Sequence, residues 1–176
     1  MNLMEMVMMN KLKKEKLKEV PTKNYIYLFI ILLGSILFLI YIYTWYETYN
    51  QNKLNTSIMN NYLTVINYNE LDDYIIENKD AVIYVSVLGD EQIHKFETTF
   101  KNAIVDNNLR NNILYLDLTT EDRIIATQKL EIDENFPYLV VYTNGKITDT
   151  YSIAENNYSS KKVIKYLNRI GATEND

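Results

Sequence analysis

Between Asn24 and Tyr46 the chain runs for twenty-three residues without a charged side chain, and most positions are Ile, Leu, Phe or Tyr. At about 1.5 Å rise per residue a helix of that length covers about 34 Å, enough for the ~30 Å hydrocarbon layer of a bilayer. A helix buried in a soluble domain would carry a polar stripe, and this run has none. Tyr25 and Tyr27 at one end, with Tyr41, Tyr43, Trp45 and Tyr46 at the other, fit the aromatic belts of two membrane interfaces. Gly34-Ser35 is a mild interruption that a membrane helix tolerates, and it is not a GxxxG packing motif. The run predicts one membrane-spanning helix over 24–46.

The flanks give it a direction. Residues 1–23 hold Lys11, Lys13, Lys14, Lys16, Lys18 and Lys23 against Glu5, Glu15 and Glu19, whereas the stretch just after the run has Glu47 and only Lys53. The positive-inside rule makes 1–23 a Lys-rich cytoplasmic arm and puts the C-terminal part outside the cytoplasmic membrane. A cleaved signal peptide would have a shorter apolar core followed by a small-x-small site. Tyr43-Thr44-Trp45-Tyr46-Glu47-Thr48-Tyr49 stands there instead, which favours an uncleaved, single-pass signal-anchor. The arm sets topology, and its lysines also suit anionic lipid.

The rest of the chain is acidic. Of the formal charge of −5, residues 1–23 contribute +3 and residues 47–176 contribute −8. Nucleic-acid phosphates need clustered Lys and Arg, so this balance argues against a nucleic-acid partner. A polar tether over 47–57, either a frayed continuation of the helix or a coil, leads into 58–176, the length of one ordinary domain. The chain has no cysteine, which excludes disulfides, thiolate metal sites and thiol nucleophiles together. Such a domain stands on its apolar core alone.

Apolar periodicity supplies the elements. Tyr62 to Ile66 reads as a short strand, and Asn67 or Asn69 can cap a helix through Asn78 with Leu71 and Ile75 facing in. Ala81 to Val87 is a β-branched run typical of a strand buried on both faces. Gly89-Asp90 opens a helix in which Ile93, Phe96, Phe100, Ile104 and Val105 recur at helical spacing. Ile113 to Leu118 reads as another buried strand, and Thr120 before Glu121-Asp122 as a helix start running to about Leu130. Tyr138 to Thr143 is a strand, Asn144-Gly145 a hairpin turn, and Lys146 to Tyr151 its antiparallel return. Ser159-Ser160 caps a last helix closed by Gly171. Strands separated by helices imply parallel pairing, with the final hairpin antiparallel at one side of the sheet.

This order resembles the thioredoxin fold, an α/β class with a central mixed sheet flanked by helices, over roughly residues 60–171. Phe136-Pro137-Tyr138-Leu139-Val140-Val141-Tyr142-Thr143-Asn144-Gly145-Lys146 is similar to the proline-led fourth strand and hairpin of that family. Residues 82–100 are similar in layout to its strand, loop and long helix. The family's Cys-x-x-Cys motif falls on Asp90-Glu91-Gln92-Ile93, with both cysteines replaced. The resemblance implies a cis Phe136–Pro137 bond and a peptide-binding groove formed by Asp90, Glu91, Gln92, Ile93, Phe136, Pro137 and Tyr138. Disulfide exchange needs a thiolate attacking sulfur, so the chain is expected to be redox-inactive and no enzyme, with no catalytic residue. Asp90 reads as a helix N-cap instead. The layout is also similar to small Gram-positive thioredoxin-like proteins, among them bacteriocin-transport accessory proteins.

Other chemistry is thin. His94 is the sole histidine and reads as an exposed helix residue, with Glu91 and Glu97 as its polar neighbours; no metal site or cofactor is expected. Asp72-Asp73 and Glu121-Asp122 lack the alternating oxygens of a calcium loop. No P-loop, GxGxxG or GxSxG occurs. Two functional readings remain. One is a binding module that holds a protein or peptide partner beside the lipid bilayer, through backbone groups next to Pro137. The other is an accessory subunit docking a thiol oxidoreductase, transporter or cell-envelope enzyme.

Protease added to intact cells or protoplasts should digest residues 47–176 and leave the Lys-rich arm protected, as an immunoblot against each end would read. Protection of the C-terminal part would reverse the predicted topology, and a shortened soluble form would mean that the anchor is cleaved.

Overall fold

The computed structural model describes Met4, Met6 and residues 21–172. The lysines of the arm from Lys11 to Lys18 lie outside the described residues, as does the end of the domain beyond 172. The chain divides at Tyr49/Asn50 into two compact units. Helix α1 (Thr22–Leu54), most of which belongs to the first, is 33 residues long, buries none of its side chains, and is long and apolar enough to cross a membrane. Ser35, Thr44 and Thr48 direct their hydroxyls to the carbonyls four residues back, which satisfies them within the helix. Of the two readings of 47–57, the helical one holds as far as Leu54.

The second unit is an α/β domain. After a 3₁₀ turn (Met59–Asn61) come β1 (Thr64–Val65), a second 3₁₀ turn (Tyr68–Glu70), α2 (Leu71–Glu77), β2 (Ala81–Ser86), α3 (Glu91–Asp106) and β3 (Leu114–Asp117). The remaining elements are α4 (Arg123–Leu130), β4 (Tyr138–Thr143), β5 (Lys146–Ser152) and α5 (Ser160–Arg169). The sheet order is β1-β3-β2-β4-β5. β1, β3 and β2 run parallel, and β4 lies antiparallel to both β2 and β5. With helices on both faces, this is a thioredoxin-like fold.

Side-chain alternation along the strands fills two cores. Ile83 and Val85, Leu114 and Leu116, and Tyr138, Val140 and Tyr142 point to the face covered by α2 and α4, where Leu71, Ile75, Ala126 and Leu130 meet them. Tyr84, Tyr115 and Leu139 point the other way, against Phe96, Phe100 and Ile104 of α3 and Val163, Tyr166 and Leu167 of α5. The hairpin is closed by Asn144 (φ 53°) and Gly145 (φ 76°), the left-handed pair that a two-residue turn needs. It is also tied down from outside: the Gly145 N–H donates to the Lys79 carbonyl at 2.7 Å and the Asn144 N–H to the Asp80 carboxylate at 2.9 Å.

Four positions differ from expectation. Neither Asn67 nor Asn69 caps α2, which starts at Leu71 after Glu70 without a side-chain cap, because Tyr68–Glu70 forms a 3₁₀ turn in front of it. The helix expected from Thr120 starts at Arg123, capped by Asp122, whose carboxylate accepts from the Ile124 and Ile125 amides. Thr120 cannot start it, because the preceding turn is held to the end of β3: Thr119 donates its N–H and hydroxyl to Asp117, and its hydroxyl accepts from the Leu88 amide. The first strand shrinks to two residues, since the N–H groups of Tyr62 and Leu63 both close onto the Met59 carbonyl. Val105, placed on the inner stripe of α3, is 63% exposed.

The contrast along α3 sets a stability test. Phe100 is fully buried between Tyr84 and Phe96, with ring centroids 5.7 and 5.0 Å away. Phe100→Ala should cost about 3–5 kcal/mol in denaturant unfolding, whereas Val105→Ala should stay within about 0.5 kcal/mol. Equal losses at both positions would contradict this packing.

Candidate functional site

Where β2 ends, Val87, Leu88 and Gly89 turn the chain into α3, with Gly89 in the left-handed region at φ 88°. The Gly89 N–H donates to the Leu54 carbonyl at 3.1 Å, a bond within the second unit. Asp90 caps α3, and one carboxylate oxygen accepts from the Gln92 amide (2.7 Å) and the Ile93 amide (2.9 Å). That leaves Asp90 the cap expected of it, its charge set against the positive end of the helix dipole.

A cleft of ≈ 360 Å³ opens beside the cap. Asp90, Ile93 and Phe136 line it, together with Val87, Leu88 and Gly89. Its far side is formed by Arg123, Glu134, Asn135 and Tyr158. The four other residues expected in the groove lie elsewhere. Glu91 is exposed and paired with Lys95 at 2.6 Å, which holds its carboxyl below the usual range. Gln92 is exposed on the outside of the helix. Pro137 is buried, its carbonyl accepting from the Ile153 amide at 3.0 Å. Tyr138 is buried and donates its hydroxyl to Asp133; burial first, and then Asp133, push the phenol up to about 12. The Phe136–Pro137 bond is cis, as the resemblance implies.

Phe136 is 4% exposed, yet among the described residues nothing bonds to its backbone N–H or C=O. Buried backbone polar groups are nearly always paired, so an unpaired one at this place is unusual. Arg123 and Tyr158 were not foreseen. Arg123 reaches the cleft as the first residue after the Asp122 cap. Tyr158 reaches it from a loop where Asn157 (φ 60°) and Tyr158 (φ 51°) are both left-handed.

Beneath α3 lies a second feature that was not expected from the sequence. Glu97, read from the sequence only as a polar neighbour of His94, is 2% exposed. Its Oε1 accepts hydrogen bonds from the Tyr84 hydroxyl and the Ser86 hydroxyl, each at 2.9 Å, and no cation among the described residues pairs with it. Burial raises its carboxyl to about 7 against the lowering effect of those two hydrogen bonds, and the Asp117 charge adds to the rise. Tyr84 is pushed well above the ordinary phenol value, by burial first and Glu97 second. A signal for Glu97 did exist: it sits four residues after Ile93 and three before Phe100, on the apolar stripe itself. His94 is half-buried rather than exposed, and burial, with the Lys53 charge, lowers its pKa. No group of three or more potential metal ligands occurs among the described residues.

No protein-family model matches the chain, and no curated protein matches it in sequence. Solved structures similar to it include Fasciola hepatica thioredoxin, at 17% identity and a TM-score of 0.45 over 61% of this chain and 98% of that one. Malassezia sympodialis thioredoxin is similar at 18% identity and a TM-score of 0.46, over 61% of this chain and 89% of that one. Chlamydomonas reinhardtii thioredoxin f2 gives 11% identity and a TM-score of 0.48, over 64% and 99%. The fold rests on the strand order and register above; activity cannot pass across such identities to a chain without cysteine.

Because the folded pKa of Glu97 stands above its ordinary value of 4.5, its contribution to stability is complete below about pH 4.5 and is lost as the pH rises through 7. The full loss is on the order of 3 kcal/mol. Glu97→Gln should therefore flatten the pH dependence of stability between pH 5 and 8 and be the more stable protein above that range. Identical pH profiles for wild type and variant would show that Glu97 does not titrate in this interval.

Proposed function

We propose that this chain is a membrane-anchored, redox-inactive thioredoxin-like module that binds an extended polypeptide segment outside the cytoplasmic membrane. The observation that carries the reading is the unpaired backbone of Phe136 on the floor of the cleft. An extended chain laid between the 87–89 loop and Phe136 would meet both an N–H and a C=O, as an added strand does. Ile93, Val87 and Phe136 supply an apolar wall for its side chains, and nothing in that contact needs sulfur. Without a thiolate no disulfide exchange is possible for the chain itself, and Asp90 is committed to capping, so binding without chemistry is the role left to the site. The apolar Thr22–Leu54 helix supports the anchor, and the lysines of residues 1–23 support a cytoplasmic N-terminus.

Placing a photo-crosslinking amino acid at Leu88 of the full chain in its native membrane tests the proposal. Cross-links to polypeptide should form from Leu88 and not from Ile76, an equally apolar but exposed position on α2. Many cross-linked clients would fit a general peptide-binding module. One stoichiometric partner would instead fit an accessory subunit docking a thiol oxidoreductase, transporter or cell-envelope enzyme. Equal or absent cross-linking at both positions would remove the cleft from consideration.

A further inference from the structure

The most concentrated positive charge in the acidic domain lies away from that cleft. Helix α5 carries Lys161, Lys162, Lys165 and Arg169 and no acidic residue, in a segment (47–176) with a formal charge of −8. Between α5 and β5 is a cleft of ≈ 420 Å³ lined by Tyr151, Asn156, Lys162, Lys165, Tyr166 and Arg169. That volume lies in the range of small-ligand sites.

Its cations differ in what they already hold. Arg169 sits over the Tyr166 ring, 5.1 Å from the centroid, and 3.9 Å from the Asp149 carboxylate, which also accepts from the Tyr166 hydroxyl at 3.0 Å. Lys162 and Lys165 make no ion pair with any described residue, and they stand three apart on the helix, so both reach the same cleft. The wall behind them is aromatic: the Tyr151 and Tyr166 rings stack at 4.4 Å and 23°. Tyr166 is buried and Tyr151 half-buried, so Tyr151 is the ring a ligand can reach.

We propose that the α5–β5 cleft binds a phosphate ester carried on a sugar-sized ring. Two uncompensated ammonium groups converging on one space suit a phosphate, whose several oxygens accept from both. A lone carboxylate would instead favour a planar guanidinium fork, and that of Arg169 is turned to Tyr166 and Asp149. The Tyr151 ring and the Asn156 amide then face the body of the ester, free in solution or presented as a lipid headgroup.

The test uses the full chain in nanodiscs of neutral lipid, titrated calorimetrically with glucose 1-phosphate, inorganic phosphate and glucose. The ester should bind about tenfold or more tightly than either part. The K162Q/K165Q double variant should lose about tenfold or more of that affinity. The charge-matched K79Q/K146Q variant, altered at exposed lysines elsewhere, should bind as wild type does. A second arm measures binding to phosphatidylinositol vesicles as the difference between wild type and K162Q/K165Q, which cancels any contribution from the N-terminal lysines. A difference confined to the vesicle arm assigns the ligand to a headgroup, and one in the calorimetric arm to a soluble ester. No difference in either arm overturns the proposal. So does equal loss in both double variants, or measurable binding of the ester and of inorganic phosphate with equal affinity.

Discussion

Strand β2 has hydrogen-bonded neighbours on both edges and a helical layer on each face, so Ile83, Tyr84, Val85 and Ser86 are all fully buried. Apolar side chains fit such a place without further conditions, but Tyr84 and Ser86 bring hydroxyls into it. An unpaired buried hydroxyl costs about 1–3 kcal/mol, so each needs a partner inside the protein. Both find it in Glu97, delivered by α3 from the same stripe that packs Phe96 and Phe100. The polar trio thereby fixes the rotation and depth of α3 against the sheet. It also fixes where the helix begins, and so where Asp90 and the cleft beside it lie. Burial favours a neutral glutamic acid, since no cation among the described residues offsets a buried charge.

The start of that helix also explains how the fold does without cysteine. An uncapped helix N-terminus leaves amides unpaired and a partial positive charge, which in a thiol-bearing protein would favour a thiolate. Here the Asp90 carboxylate answers both demands, accepting from two amides and opposing the dipole. The same geometry that could activate a nucleophile is spent on stabilising a helix. The cleft still offers shape, an apolar wall and unpaired backbone, the features on which the proposed peptide binding rests.

Much of this was legible in the sequence because it is local or periodic. The β-branched run at 81–87, the Asn144-Gly145 turn and the strand at 138–143 each arise from neighbouring residues, and β4 has the bounds they imply. Capping was legible as a type of chemistry but not as a position. Thr120 and Asp122 are both competent caps, and the choice between them was made by Thr119, which is drawn back to Asp117 and Leu88 across thirty-one residues of sequence. The cleft was legible in part, because Asp90, Ile93 and Phe136 sit at landmarks of the fold. Arg123 and Tyr158 arrive from separate elements and leave no local trace. Glu97 did leave one, since a carboxylate on an apolar stripe must meet a partner, and Tyr84 and Ser86 were the hydroxyls within a buried strand.

One short loop serves both clefts. Residues 153–159 leave β5 with Ile153 fully buried, its amide bonded to the Pro137 carbonyl and its own carbonyl accepting from Asn156 and Tyr158. Those contacts turn the chain so that Tyr158 faces the cleft beside Asp90 and Asn156 the one beside α5. Left-handed Asn157 and Tyr158 would be costly in a free loop, and they are held here by hydrogen bonds at both ends of the turn. Ser159 then caps α5 through the Lys162 amide, so the loop also sets where the cationic face of that helix begins. A loop fixed this way loses little further entropy when a ligand meets it, which favours tight recognition over adaptable recognition at both sites.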